Sequence, residues 1–144
     1  MISPIDLATI VAILPPIAFA AWDDNRAHKI RNKYVLAVFA VGCVRLGYIG
    51  GAWELWSALL SATIGGCFFY ALAYEKDLLG GGDVKMLIAL LWTLPYAAYY
   101  PYFWSLAGCL ILGVVWFWDW HVKVPLAPYF LAANLLCLGY LVLI

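Results

Sequence analysis

Long uncharged stretches of apolar residues alternate along this chain with short islands of charge. A helix needs about 20 apolar residues to cross a bilayer, and this pattern predicts six spans, at roughly 5–22, 34–50, 55–74, 84–97, 102–118 and 125–143. The fourth and fifth spans share one uncharged run, 86–118, which is too long for a single helix. Because Pro95 and Pro101 flank a tyrosine-rich segment there, we expect a tight turn between those two spans.

The composition supports a membrane protein. Hydrophobic residues make up 67% of the chain and charged residues 11%, whereas soluble domains carry about 25% charged residues. A chain of 144 residues cannot bury that many apolar side chains, so we expect an all-α, polytopic bundle in one domain, 1–144, solvated by lipid. No basic segment precedes the first apolar stretch, so no removable signal peptide is expected. Nucleic acid is not an expected partner.

The basic residues indicate how the spans are oriented. One side carries seven Lys and Arg residues, and the other side carries one, Arg45; the seven are Arg26, Lys29, Arg31, Lys33, Lys76, Lys85 and Lys123. Since cytoplasmic loops are rich in Lys and Arg, the loops after the first, third and fifth spans are predicted to be cytoplasmic. Arg45 lies within the second span, where it must snorkel, face a polar cavity or find a partner.

Most carboxylates fall in the same cytoplasmic islands, where a charged side chain needs no special function. Asp83 differs because it follows Gly80, Gly81 and Gly82 and opens an apolar helix. An N-capping role explains an aspartate at this place. It explains three consecutive glycines less well, because they leave the main chain open to close approach by another chain. Lys85 opposes the helix dipole in the first turn and is expected to have a partner.

A second carboxylate is expected at the same membrane depth, where Asp23 and Asp24 end the first span. Two carboxylates from different helices are what aspartyl hydrolysis requires, because one takes a proton from water while the other donates to the scissile carbonyl. Charge and depth do not distinguish Asp23 from Asp24. The two histidines and the four widely spaced cysteines are interpreted as structural, and neither a metal nor a disulfide is assigned to them.

Three segments carry a resemblance to a known family. The run from Gly80 to Met86, GGGDVKM, resembles the GxGD signature of the type IV prepilin peptidases and the archaeal preflagellin peptidases, which implies that Asp83 is catalytic. The run 24–32, DNRAHKIRN, resembles the family pattern D-x-R-x-x-x-I-P-N, which implies that Asp24 is the second catalytic residue. Arg31 stands where the family has proline. The run 124–130, VPLAPYF, is similar to the family's entry to its last helix.

The resemblance implies an aspartic endopeptidase, without any cofactor, that removes a short basic leader from prepilin-like precursors. It places the protein in the inner (plasma) membrane, with its active site on the cytoplasmic side. The chain has no CxxC pair, so it resembles the short, peptidase-only members such as those serving tight-adherence pili. Substrate contacts are predicted for the glycine run and Lys85 and, from charge sign alone, for three carboxylates near a basic leader, Asp23, Glu75 and Asp77.

Two alternatives stay open. One is a preflagellin peptidase, which differs in its substrate. The other is a small non-enzymatic transporter or scaffold, in which Asp24, Asp83 and Arg45 line a polar path. The oligomeric state is not predicted.

Overall fold

Six α-helices make up the computed structural model, which describes residues 3–27, 29–49, 51–76, 80–117 and 126–143. In chain order they are α1 (Pro4–Ala27), α2 (Asn32–Ile49), α3 (Ala52–Lys76), α4 (Gly81–Thr93), α5 (Tyr96–Phe117) and α6 (Ala127–Leu143). No strand occurs among the described residues. The predicted all-α bundle is confirmed.

A short inner helix, α4, packs between α2 and α3. Helices α2 and α3 pack along α4, while α1 packs against α2 and α6, and α5 packs against α6. With 13 residues, α4 is only about 20 Å long, whereas the hydrocarbon layer of a bilayer is about 30 Å thick. Most of its side chains are buried in the core, which also includes Ile10, Ile13, Ile17, Val38, Tyr102, Phe130 and Ala133.

The break between the fourth and fifth helices differs from the prediction. The helix ends at Thr93, and Leu94 is extended (φ −67°, ψ 139°) because a residue that precedes proline disfavours the helical region. Pro101 does not border a turn but lies inside α5. Neighbouring helices make an internal proline tolerable within a membrane, and α1 likewise continues through Pro15 and Pro16.

The surface of the bundle is suited to lipid. Among the described residues, Pro4–Ala27 and Asn32–Ile49 are long and apolar enough to cross a membrane, and Ala127–Leu143 is a shorter apolar helix. Large apolar side chains are widely exposed, for example Phe19 at 62% and Ile64 at 67%. Soluble monomers rarely expose so much contiguous apolar surface, and the chain is therefore a membrane protein.

Arg45 is held in an ion cluster with two carboxylates. Its side chain is 2% exposed; Nε contacts Asp6 Oδ1 at 2.9 Å, and a terminal guanidinium nitrogen contacts Glu54 Oε2 at 2.8 Å. The cluster thus joins α1, α2 and α3. Asp6 and Asp24 lie near opposite ends of α1, about 27 Å apart along the helix axis. Arg45 therefore does not share a polar path with Asp24.

Close packing of α2 on α4 depends on Gly42. A Cβ added there would lie 2.6 Å from both Thr93 Oγ1 and Trp92 Cδ1, so one helix would have to shift. We expect Gly42→Val to destabilise the protein by about 1–3 kcal/mol, the usual range for overpacking. Thermal unfolding in detergent measures this. Gly47→Val on the same helix is the matched control, because nothing lies within 4 Å of its added Cβ; an equal loss in both variants would contradict the packing argument.

Candidate active site

One end of the bundle brings together the last turn of α1, the start of α2 and the start of α4. They surround a cavity of about 470 Å³, lined by Asp24, Lys29, Ile30, Asn32, Gly80, Gly81, Gly82, Asp83 and Lys85. The structure thus places both aspartates predicted to be catalytic, the glycine run and Lys85 around one cavity. The transporter alternative required Arg45 beside these aspartates, and Arg45 lies near the opposite end of α1.

Asp24 is buried, with 4% of its surface exposed, and it is held by the last helix of the chain. Its Oδ2 accepts a hydrogen bond of 3.1 Å from the backbone N–H of Ala127. Ala127 is the first residue of α6, where backbone N–H groups have no partner within the helix. The positive end of the α6 dipole therefore points at this carboxylate. In the sequence, this contact is indicated only by the resemblance of the run 124–130 to the family's last helix. Residues 124 and 125 lie outside the described residues.

Asp83 lies in the first turn of α4, but it is not the N-cap residue. Gly80 is the N-cap, and Asp83 Oδ2 accepts a hydrogen bond of 3.1 Å from the Gly80 backbone N–H. The carboxylate thus caps the helix from its third residue. The other carboxyl oxygen, Oδ1, is buried and has no hydrogen-bond partner among the described residues. One oxygen of Asp83 therefore holds the turn, and the other makes no hydrogen bond to the described part of the chain.

The proton affinity of Asp83 is increased by its surroundings. Asp83 precedes the predicted span 84–97, and its surroundings together raise its pKa from 3.8 to about 6, with burial as the largest cause. The negative charge of Asp24 also contributes to the raised pKa, and the hydrogen bond from Gly80 opposes it. Each effect acts in the direction that its physical cause requires, because burial and a like charge disfavour the ionised form, whereas a donated hydrogen bond favours it.

This raised pKa makes stability depend on pH. Between pH 3.8 and about 6 the folded protein binds more protons at Asp83 than the unfolded chain does, so the free energy of unfolding falls as the pH rises through this window. Thermal unfolding in detergent between pH 4 and 7 measures the effect. We expect Asp83→Asn to flatten this slope. Asp24→Asn should move the midpoint of this pH dependence to lower pH, because it removes a negative charge near Asp83. An unchanged midpoint would show that the two carboxyl groups do not interact.

The three glycines of the run have different surroundings. At Gly82 an added Cβ would lie 3.1 Å from Ile30 Cβ and 3.3 Å from the Ile30 carbonyl oxygen, so the close approach here is made by the chain's own α1–α2 connection. At Gly80 it would lie 2.9 Å from Asp83 Oδ2. Only at Gly81 does nothing lie within 4 Å. Gly81 is thus the glycine that leaves the main chain open to the cavity.

Asp23 has partners of its own. The Arg31 Nε lies 3.0 Å from Asp23 Oδ2, and the Tyr34 hydroxyl donates to the same oxygen at 2.8 Å. Neighbouring residues of a helix point about 100° apart, and Asp23 does not line the cavity that Asp24 lines. Arg31, which stands where the resembling family has proline, thus contributes to holding Asp23 away from the cavity.

The remaining residues predicted to contact the substrate differ in how much the structure shows of their surroundings. Lys85 Nζ donates to Asn32 Oδ1 at 3.4 Å, so the partner expected for Lys85 is an amide on α2. Glu75 lies in the last turn of α3, and Asp77 lies outside the described residues. Contacts of Asp23, Glu75 and Asp77 with a basic leader stay predictions.

Comparison with known protein families finds a match for most of the chain. A family model described as the type IV leader peptidase family matches residues 11–144, a range that includes both aspartates of the cavity. Comparisons with curated proteins and with solved structures find no match.

Proposed function

The chain belongs to the type IV leader peptidase family, and from this premise we propose that it is an aspartic endopeptidase whose catalytic pair is Asp24 and Asp83. One observation carries the proposal: the two carboxyl groups come from different helices and line one cavity, where the charge of Asp24 adds to the effect of burial in raising the pKa of Asp83. Mutual repulsion of this kind separates the roles of two carboxyl groups, leaving one ionised and the other protonated.

The roles follow from their surroundings. Asp83 has the raised pKa, so it carries the shared proton and donates it to the carbonyl oxygen of the scissile bond. Asp24 takes a proton from water as the water oxygen attacks the carbonyl carbon. When the resulting diol collapses, the C–N bond breaks, Asp24 gives its proton to the leaving nitrogen, and a hydroxyl proton returns to Asp83.

We propose prepilin-like precursors as the substrates. The resemblance implies a basic leader, a glycine before the cleaved bond and an apolar helix after it. An apolar helix suits a site at the end of a membrane bundle, because the helix stays in lipid while the extended leader enters the cavity. Gly81 leaves room for such an extended segment beside the start of α4.

Co-expression with a candidate prepilin, followed by a gel shift for leader removal, tests this function. A preflagellin precursor in a parallel culture distinguishes the two substrate classes. We expect cleavage of the prepilin, and we expect it to persist in membranes treated with a chelator. Loss of cleavage that added metal restores would contradict the two-carboxylate mechanism, and cleavage of the preflagellin alone would assign the protein to the other class.

The site is proposed to face the cytoplasm, in a protein with six spans and both termini outside. The positive-inside pattern supports this orientation, and the one contrary cation, Arg45, is paired with Asp6 and Glu54. A C-terminal reporter active only outside the cytoplasm should therefore be active, and a matched N-terminal reporter should agree with it. A C-terminal reporter active only in the cytoplasm would mean an odd number of crossings.

A further inference from the structure

The outward face of α4 forms a continuous stripe. Gly81, Lys85, Ile88 and Trp92 follow one another at helical spacing, and each is exposed or half-buried. The residues on the rest of α4 are mostly buried. An inner helix is thus uncovered along one line, which begins at the open glycine of the cavity and runs about 16 Å into the bundle.

Two helices flank this stripe. On the α2 side, Gly42 lies against Trp92, and on the α3 side an added Cβ at Gly66 would lie 3.1 Å from Ile88 Cδ1. Helices α2 and α3 each pack along α4 but make little contact with one another. The stripe is therefore the floor of a groove, with α2 and α3 as its walls. We call it the α4 groove.

The α2 wall is apolar below its first residue. Asn32, Leu36, Phe39 and Cys43 recur at the same helical spacing as the floor residues. Leu36 is 65% exposed and Phe39 is 40% exposed, and Cys43 is an exposed free thiol. The Phe39 ring stacks on Trp92 with the ring centroids 5.1 Å apart. Wall and floor therefore make one apolar surface.

The α4 groove is continuous with the catalytic cavity. Gly81 and Lys85 belong to its floor and Asn32 heads its wall, and all three also line the cavity that holds the two aspartates. Lys85 and Asn32 hydrogen-bond across the head of the groove. Polar groups at the head and apolar groups along the length match a chain segment that is extended and polar at one end and helical and apolar beyond it.

We infer that the α4 groove binds the apolar helix of the precursor and presents the peptide before it to Asp24 and Asp83. The inference rests on the proposed peptidase function and names the docking surface of its substrate. Lipid could fill an apolar groove anywhere on the bundle. This groove leads into the cavity, so a helix bound in it would place the residues that precede it in the cavity. The precursor helix lies along α4, and its first turn lies beside Lys85.

Disulfide crosslinking tests the inference, using a synthetic precursor peptide with a basic leader, a glycine at the cleavage point and an apolar helix of about 20 residues. Single cysteines are placed along that helix and offered to the Asp83→Asn variant, in which Cys67 is also replaced by serine. Cys43 lies about 16 Å from the head of the wall, so we expect the strongest crosslink about 11 residues into the peptide helix. Crosslinking should recur every three to four residues.

The matched control moves the thiol by one residue. In the same protein, Cys43→Ser is combined with Val44→Cys; Val44 is 61% exposed and lines a different apolar groove, between α1 and α2. We expect this control to form little crosslink. Equal crosslinking from both positions, or none from Cys43, would overturn the inference while wild-type protein still cleaves the peptide. If wild-type protein does not cleave the peptide, the proposed function fails and the inference falls with it.

A kinetic measurement provides a second test of the docking surface. Leu36→Trp narrows the α4 groove and should weaken binding of the peptide helix. We expect KM for the peptide to rise by about tenfold with kcat little changed, because the reacting groups are intact. Val44→Trp is the control and should leave both constants near wild type. An unchanged KM in Leu36→Trp would show that the precursor helix binds elsewhere.

Discussion

Replacing Asp24 by asparagine is expected to reduce precursor cleavage at least about 10²-fold, because the amide cannot take a proton from water. The variant should still fold, since the side-chain oxygen of asparagine can accept the hydrogen bond from the Ala127 N–H. Cleavage in membranes, followed by gel shift at equal protein amounts, measures the loss. Thermal unfolding of the same preparation shows whether the fold is intact.

Asp23→Asn is the matched control, with the same chemical change one residue away. Its oxygen contacts Arg31 and Tyr34 and does not line the cavity, so we expect most of the cleavage to remain. A weaker interaction with a basic leader would appear as a raised KM. If Asp23→Asn abolishes cleavage and Asp24→Asn does not, the assignment of the catalytic aspartate is wrong by one residue.

Arg45→Met is expected to destabilise the protein by about 3 kcal/mol, the usual loss when one partner of a buried ion pair is removed. The methionine fills a similar volume but leaves Asp6 and Glu54, which are 15% and 28% exposed, without their cation. The shift in thermal unfolding temperature measures the effect, and the catalytic pH profile should not move.

A triple variant separates lost charge pairing from lost packing. With Asp6→Asn and Glu54→Gln added to Arg45→Met, the unpaired charges are gone and much of the stability should return. A triple variant as unstable as Arg45→Met alone would show that the guanidinium contributes by its shape. Arg45 would then be a packing residue of the second helix.

The aspartate pair could be predicted because its signals are local in sequence. A carboxylate after a glycine run and a carboxylate at the end of a long apolar stretch both mark helix ends at one membrane face, and the register to Arg26, Ile30 and Asn32 separated Asp24 from its neighbour. The structure places Asp24 and Asp83 around one cavity, and their catalytic role stays a prediction.

Other features depend on contacts that no local pattern shows. The bond from Ala127 to Asp24 joins residues 103 positions apart, and nothing in the composition around either residue indicates it. No local pattern marks Asp6 and Glu54 as the partners of Arg45, because their proximity depends on how three helices pack. The turn predicted between Pro95 and Pro101 differs from the structure, where Pro101 lies inside α5, because neighbouring helices decide whether an internal proline is tolerated.

The hydrogen bond between α6 and Asp24 also bears on when the enzyme becomes active. During synthesis α1 is made before α6, so Asp24 lacks this backbone donor until α6 has been inserted. Contacts between such distant residues form late, because a long loop must close first. A chain released early therefore holds both aspartates in an incomplete site. The fold thus delays completion of the surroundings of Asp24 until α6 has been made.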